Sequence, residues 1–177
     1  GKVFADEGGP NQDADITRPI EEVDIEEIIS YAREREVEII LWVLSMHLDR
    51  QMEEALAVYE KWGAAGIKVD FMDSDDQDMV NWYHTVARKA AMHHLVVDFH
   101  GAYKPTGIER LYPNAITREG VYGMENSKWD MSKNIGPEHN VTIPFIRNAV
   151  GPMDYTPGAM INAQRESWTP VFERPMS

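Results

Sequence analysis

Cysteine is absent from this 177-residue chain, so neither a disulfide framework nor thiolate chemistry is available to it. Positive charge is scarce as well. Seventeen Lys and Arg face 30 Asp and Glu, a formal net charge of −13. That balance argues against a nucleic-acid or anionic-membrane partner, since both need basic patches, and it suits a neutral substrate such as a sugar, or a cation. No apolar run reaches the ~18 residues that a bilayer span needs, so no membrane span is expected. No glycine-rich phosphate loop follows a strand-like run, which disfavours a dinucleotide fold. There is no His-Glu-x-x-His, the histidines lack zinc-ligand spacing, and no Gly-x-Ser-x-Gly elbow occurs. No leader peptide is visible. The chain opens inside a strand-like run, Lys2 to Ala5, so any targeting segment is expected upstream.

What is present is ordinary for a globular protein: 43% hydrophobic and 27% charged residues, in a length that predicts one domain over residues 1–177 with a sizeable core. Asp24 to Arg35 carries Ile25, Ile28, Ile29 and Ala32 at three- and four-residue spacing, with acids early and arginines late. This predicts an amphipathic helix aligned with its dipole. Val37 to Leu44 is nearly continuous apolar sequence, as in a buried parallel strand. Gln51 to Ala65 predicts a second helix, with Met52, Ala55, Leu56, Tyr59 and Trp62 on one face and Gly66 closing it. Ile67 to Met72 predicts a strand, Asp76 to His93 a helix capped by Asp75 or Asp76, and Leu95 to Phe99 another strand. Lys2 to Ala5, Asn114 to Val121 and Val141 to Phe145 are further strand candidates.

Strands alternating with helices across short connections predict a parallel sheet. Polar residues gather just past the strand ends: Asp6, Glu7, Ser45, His47, Asp70, Asp98, His100, Glu119 and Glu125. That is where (β/α)8 barrels place their chemistry. The expected fold is therefore α/β: a partial TIM barrel with about six of the eight strands, because a whole barrel takes about 250 residues.

Two acids carry the chemical reading. Asp70 lies in Gly66-Ile67-Lys68-Val69-Asp70-Phe71-Met72-Asp73, which reads as a short buried strand that ends in a carboxylate and then breaks. Lys68 lies two residues earlier on the same strand face, and an ammonium there is expected to keep the Asp70 carboxylate charged, as a nucleophile requires. Glu125 sits among Tyr122, Met124 and Trp129, apolar company that is expected to favour a protonated acid. Two acids on two strand ends are the minimum for breaking a glycosidic bond. The bland alternatives are a capping acid at Asp70 and an exposed loop glutamate at Glu125. Glu119, one turn of loop earlier, offers oxygen for a hard cation beside the reaction centre. His47 and His100 follow strands and could bond sugar hydroxyls, with Lys68 joining them at the substrate; Trp129 is the better stacking aromatic, whereas Trp42 and Trp82 read as core. Asp73 to Asp78 mimics a calcium loop, but Gln77 and Asp78 stand at its fifth and sixth positions, so a solvated helix start is the better reading. His93 and His94 read as a structural helix end.

Four motifs resemble glycoside hydrolase family 97 in the family's order: Gly66 to Met72, Asp98 to Gly107, Glu119 to Glu125, and Met153 to Gly158, with Asp6-Glu7-Gly8 at the opening. The resemblance covers essentially the whole chain. It implies the catalytic barrel of a bacterial exo-acting α-glycosidase, working outside the cytoplasm, in the periplasm or beyond, with a calcium ion at the site. It places Asp70 at the nucleophile position of the retaining branch and Gly101 where the inverting branch has a glutamate base. Glu125 matches the acid/base, Glu119 and Glu125 match the metal-binding acids, and His100 matches a sugar-contacting histidine. The flanking β-domains of the family, one of which supplies a calcium ligand, have no counterpart in the chain. The expected function is a retaining α-galactosidase. The alternatives are an α-glucosidase of the same family and a non-catalytic carbohydrate-binding or inactive barrel fragment.

Overall fold

The computed structural model describes residues 4–6, 14–128 and 135–157, in the element order β1 (Phe4–Asp6), β2 (Ala14–Pro19), α1 (Ile25–Arg33), β3 (Ile40–Leu44), α2 (Ser45–Trp62), β4 (Gly66–Asp70), α3 (Gln77–Met92), β5 (Val96–Phe99), α4 (Ile108–Leu111), β6 (Ala115–Arg118), a 3-10 turn at Met124–Lys128, α5 (Pro137–Arg147) and a second 3-10 turn at Asn148–Val150. Strands β3, β4, β5 and β6 form a parallel sheet in chain order, and β1 pairs with β2 as a separate antiparallel ribbon. The sheet order never reverses, unlike that of a doubly wound sheet. Past β6, a single parallel bridge from Arg118 to Met153 marks a further backbone position beside it.

Alternation along the strands sorts the side chains into two faces. Leu41, Val43, Ile67, Val69, Val97 and Phe99 point to the helices, each no more than 4% exposed. There they meet Leu48, Leu56 and Tyr59 of α2 and Tyr83, Val86, Ala87 and Ala90 of α3, all with no exposed surface. The helical face predicted for Met52 to Trp62 is the face that packs. The opposite side of the sheet carries Ile40, Trp42, Lys68, Asp98 and Asp70, and there Ile40 and Trp42 stay exposed.

Local chemistry explains the boundaries. Asp24 caps α1 by accepting from the Glu27 amide at 2.9 Å, and Asp76 caps α3 by accepting from Met79 at 2.9 Å. The acidic Asp73 to Asp78 segment is thus a helix start, as expected. Helix α2 begins at Ser45, earlier than the predicted Gln51, and has a non-helical kink at Gln51. The Gln51 side chain accounts for the kink's placement: it donates to Ala14 O at 2.8 Å and accepts from Ile16 N at 3.2 Å, tying β2 to the helix. The helix ends at Gly63, which adopts φ 83, and not at Gly66. Gly66 instead opens β4, where a Cβ would lie 2.4 Å from Val96 O.

The strand expected over Val141 to Phe145 is a helix. Gly136 and Pro137 head α5, proline being suited to a first helical turn, and the apolar alternation there belongs to exposed helix positions. Arg147 anchors the end of α5 by donating to carbonyls of Arg118, Glu119, Gly120, Gly151 and Pro152. Lys2 to Ala5 overlaps β1, but that strand lies in the ribbon, outside the parallel sheet. Strand β2 has only Ile16 buried, and no apolar alternation announced it.

Candidate active site

The polar residues past the strand ends are held by a backbone ladder that outlasts the strands. His100 N donates to Val69 O at 2.7 Å, Glu119 N to Phe99 O at 2.8 Å, and Asp154 N to Arg118 O at 2.9 Å. Each carbonyl lies on the neighbouring strand, so Asp70, His100, Glu119 and Asp154 step along one rim of the sheet at its carboxyl end.

His100 is the centre of this rim. Its Nδ1 lies 2.7 Å from Asp154 Oδ2, and its Nε2 lies 3.3 Å from Glu125 Oε1 and 3.7 Å from Glu119 Oε1. The hydrogen bond to Asp154 comes first in raising its pKa to about 9, with the Glu119 charge adding to it against the opposing effect of burial. At neutral pH the imidazole is therefore a cation that donates from both nitrogens. Burial acts first on Glu119 and raises its pKa, and the charge of Glu125 pushes the same way. The Gly101 amide donates to Glu119 Oε2 at 2.8 Å.

Asp70 is 7% exposed. Its Oδ2 accepts from the Trp42 indole N–H at 2.9 Å and its Oδ1 from the Phe71 amide at 2.7 Å. Gly101 passes so close that a Cβ there would lie 2.8 Å from Asp70 Oδ1. One glycine thus separates the Asp70 carboxylate from the Glu119 carboxylate that its own amide holds.

Lys68 does not pair with Asp70 as the sequence reading expected. It bonds Asp154 and lies 3.3 Å from Asp98. The reason is register: Lys68 stands directly opposite Asp98 on the neighbouring strand, about 4.8 Å across the ladder, whereas two residues along one strand span about 6.6 Å. Burial and the Asp154 charge push Asp98 up to about 7, against the opposing charge of Lys68. Burial would raise Asp154 too, but the hydrogen bonds from His100 and Lys68 outweigh it and hold Asp154 below the usual carboxylate range. Burial works against the charged form of Lys68, yet the bond to Asp154 and the charge of Asp98 raise its pKa overall. This quartet, with Asp98 and His100 buried and Lys68 and Asp154 half-buried, underlies the rim.

The structure brings Asp70, Lys68, His100, Glu119 and Glu125 to one rim of the sheet. His47 lies in the first turn of α2, 4% exposed, with Nδ1 unpaired among the described residues. Trp129 lies outside the described residues, as do Glu7, Gly8 and Gly158 of the quoted motifs. Three participants escaped the sequence reading. Trp42, expected in the core, is 47% exposed and donates to Asp70. Asp98 stands out in the sequence only as a polar strand-end residue. Asp154 stands out in the sequence only inside a motif, although its position just past the Arg118–Met153 bridge is another strand-end position.

As for calcium, Glu119 and Glu125 each offer an oxygen within 4.8 Å of the other and of a His100 ring nitrogen. The two carboxylates fit a hard cation, and a cation between them would relieve their mutual repulsion. His100 does not fit as its ligand, because Asp154 keeps that ring protonated and calcium takes oxygen.

The family model described as Glycoside hydrolase 97 matches residues 2–121. The chain belongs to glycoside hydrolase family 97. It is 42% identical over 176 residues to a protein of Bacteroides thetaiotaomicron named "Retaining alpha-galactosidase", covering 99% of this chain and 27% of that protein. It is 44% identical over 144 residues to a "Probable retaining alpha-galactosidase" of Streptomyces bingchenggensis, covering 80% of this chain and 22% of that one. It thus spans about a quarter of the length of the relatives it matches. Among solved structures, a family 97 enzyme from Pseudoalteromonas sp. strain K8 in complex with acarbose aligns over 83% of this chain and 25% of that one, with TM-score 0.72 and 31% identity. A variant of that enzyme in complex with panose aligns over the same shares at TM-score 0.72 and 30% identity. A beta-arabinopyranosidase aligns over 77% of this chain and 24% of that one, with TM-score 0.64 and 30% identity.

Proposed function

We propose that this chain is the part of a retaining exo-α-glycosidase that holds its catalytic acids, and that the whole protein hydrolyses terminal α-galactosides. The single observation behind this reading is the convergence of Asp70, Glu119 and Glu125 around His100 and Gly101. The sheet would be a segment of a (β/α)8 barrel. Its unreversed strand order, its helices on one face and its polar rim at the strand ends support that architecture.

Asp70 attacks the anomeric carbon while Glu125 gives its proton to the leaving oxygen. The glycosyl ester is then hydrolysed by a water that Glu125 deprotonates. Retention requires the two carboxyl groups to work about 5–5.5 Å apart, against ~6.5–9.5 Å for inversion. Gly101 favours retention, because a longer residue there would strike Asp70. His100 and Lys68 donate to sugar hydroxyls at the rim, and His47 and Trp129 are the further substrate contacts. Glu119 and Glu125 would hold calcium, which when bound orients sugar hydroxyls and balances the acidic charge. The protein would act in the periplasm or outside a bacterial cell on oligosaccharides.

The names of the curated relatives favour galactose. The panose and acarbose complexes of the solved relatives keep an α-glucosidase as the second reading. Turnover of nitrophenyl α-galactoside against nitrophenyl α-glucoside by the full-length polypeptide separates the two. Sugar binding without turnover of either would establish the non-catalytic alternative instead.

A further inference from the structure

Among the described residues, Phe71 is the only apolar residue with left-handed backbone, at φ 61. That conformation is costly for a bulky side chain, and the ring gains little in return because it is 58% exposed. The turn is nevertheless fastened on every side. The Ser45 hydroxyl donates to Phe71 O at 2.8 Å, and the Phe71 amide donates to Asp70 Oδ1 at 2.7 Å. Gly101 makes room: a Cβ there would stand 2.7 Å from Phe71 N, 3.0 Å from Phe71 Cα and 2.8 Å from Asp70 Oδ1. An exposed aromatic does not need such fastening for stability. What the fastening fixes is the aim of one amide. Strained residues of this kind persist where the surroundings over-determine them, and they cluster at working sites.

We infer that the Phe71 turn, clamped by Ser45 and given room by Gly101, is a positioning device that dedicates Asp70 Oδ1 to the Phe71 amide and leaves Oδ2 as the attacking oxygen. This rests on the nucleophile role proposed for Asp70. The bond from the anomeric carbon to Oδ2 forms as its bond to the leaving oxygen breaks, and that oxygen takes the Glu125 proton. Oδ1 becomes the carbonyl oxygen of the ester and keeps the Phe71 hydrogen bond throughout. Water then bonds the anomeric carbon and returns a proton to Glu125, while the electron pair returns to Oδ2. Trp42, which holds Oδ2 in the free protein, is half exposed and stands on the open side of the sheet, where it can yield to substrate. Ser45 and Phe71 act through Asp70 and are positioning residues.

The test uses Ser45→Ala, Ser45→Thr, Phe71→Val, Phe71→Gly and Asp70→Gly in the full-length polypeptide. Two readouts are taken: kcat and KM on nitrophenyl α-galactoside, and hydrogen exchange of the residue 71 amide. Ser45→Ala is expected to lower kcat about tenfold with KM within about twofold, and Ser45→Thr to restore most of it. Phe71→Val is expected to fall at least about tenfold below Phe71→Gly, since glycine tolerates positive φ and a β-branched residue does not. The residue 71 amide should be protected in the natural protein and exchange about tenfold faster in both Ser45→Ala and Asp70→Gly. An unprotected amide, or equal kcat in Phe71→Val and Phe71→Gly, overturns the inference. If Phe71→Val does not fold, the Ser45 pair and the exchange rates still decide. Undiminished turnover by Asp70→Gly would refute the nucleophile role, an outcome separate from the exchange result.

Discussion

The two faces of the parallel sheet solve opposite problems with alternate residues of the same strands. One face buries Ile67, Val69, Val97 and Phe99 against α2 and α3, with the Arg118 guanidinium over the Tyr83 and Phe99 rings. The other gathers Lys68, Asp98, Asp70 and His100, each engaged by a charged or polar neighbour. The first face derives its stability from area removed from water. The second holds four acids, Asp70, Asp154, Glu119 and Glu125, around one imidazole, an arrangement that is poor for stability and suited to acid–base work. Fold and chemistry are therefore separable by face, and mutations on either face should report on one of them alone.

The sharpest break in that comparison is Glu125→Gln. Loss of a general acid should lower kcat by roughly 10²–10⁴-fold with the midpoint of thermal unfolding nearly unchanged. Steady-state kinetics beside a melting curve checks both halves. On the other face, Leu56→Ala should cost about 2–5 kcal/mol in denaturant unfolding, while kcat of the folded fraction stays at its natural value. A Leu56→Ala variant that loses kcat in proportion would show that the faces are coupled.

Dependence on pH should separate the faces further. The His100 pKa stands near 9 against 6.5 when unfolded. The stability this supplies is complete below about pH 6.5 and is lost as pH rises through 9. Asp98, held near 7 against 3.8, adds a decline between those two values, because the folded state keeps a proton there that the unfolded chain has released. Asp154→Asn should flatten the loss between pH 6.5 and 9; an unaltered slope across that range would remove the Asp154–His100 pair from the account. The smallest effect is expected from Glu53→Ala, which breaks an exposed pair with Lys89 on the helical layer. Surface pairs contribute about 0–1 kcal/mol, so urea titration should barely move.

How much of this was legible in the sequence follows the same division. The helix-covered face was readable because its signals are local: the Met52 to Tyr59 stripe and the caps at Asp24 and Asp76 each lie within a turn or two. Asp70, His100, Glu119 and Glu125 were legible as polar residues that end apolar runs. Their partners were not. Asp154 is 86 residues from Lys68 and 54 from His100, a separation no periodicity reports. The pairing of Lys68 with Asp70 failed because cross-strand distance beats along-strand distance. Trp42 reads as core because a tryptophan in an apolar run carries no mark of which face it will take. Val141 to Phe145 alternates like a strand, and only the Gly136-Pro137 start shows that it is helical.

The claim on which the account depends is that Asp70 and Glu125 act on one sugar from its two sides with net retention. Proton NMR of the first product formed from nitrophenyl α-galactoside by the full-length polypeptide tests it directly. The account predicts that α-galactose appears first and only later mutarotates. β-Galactose as the first product would contradict it.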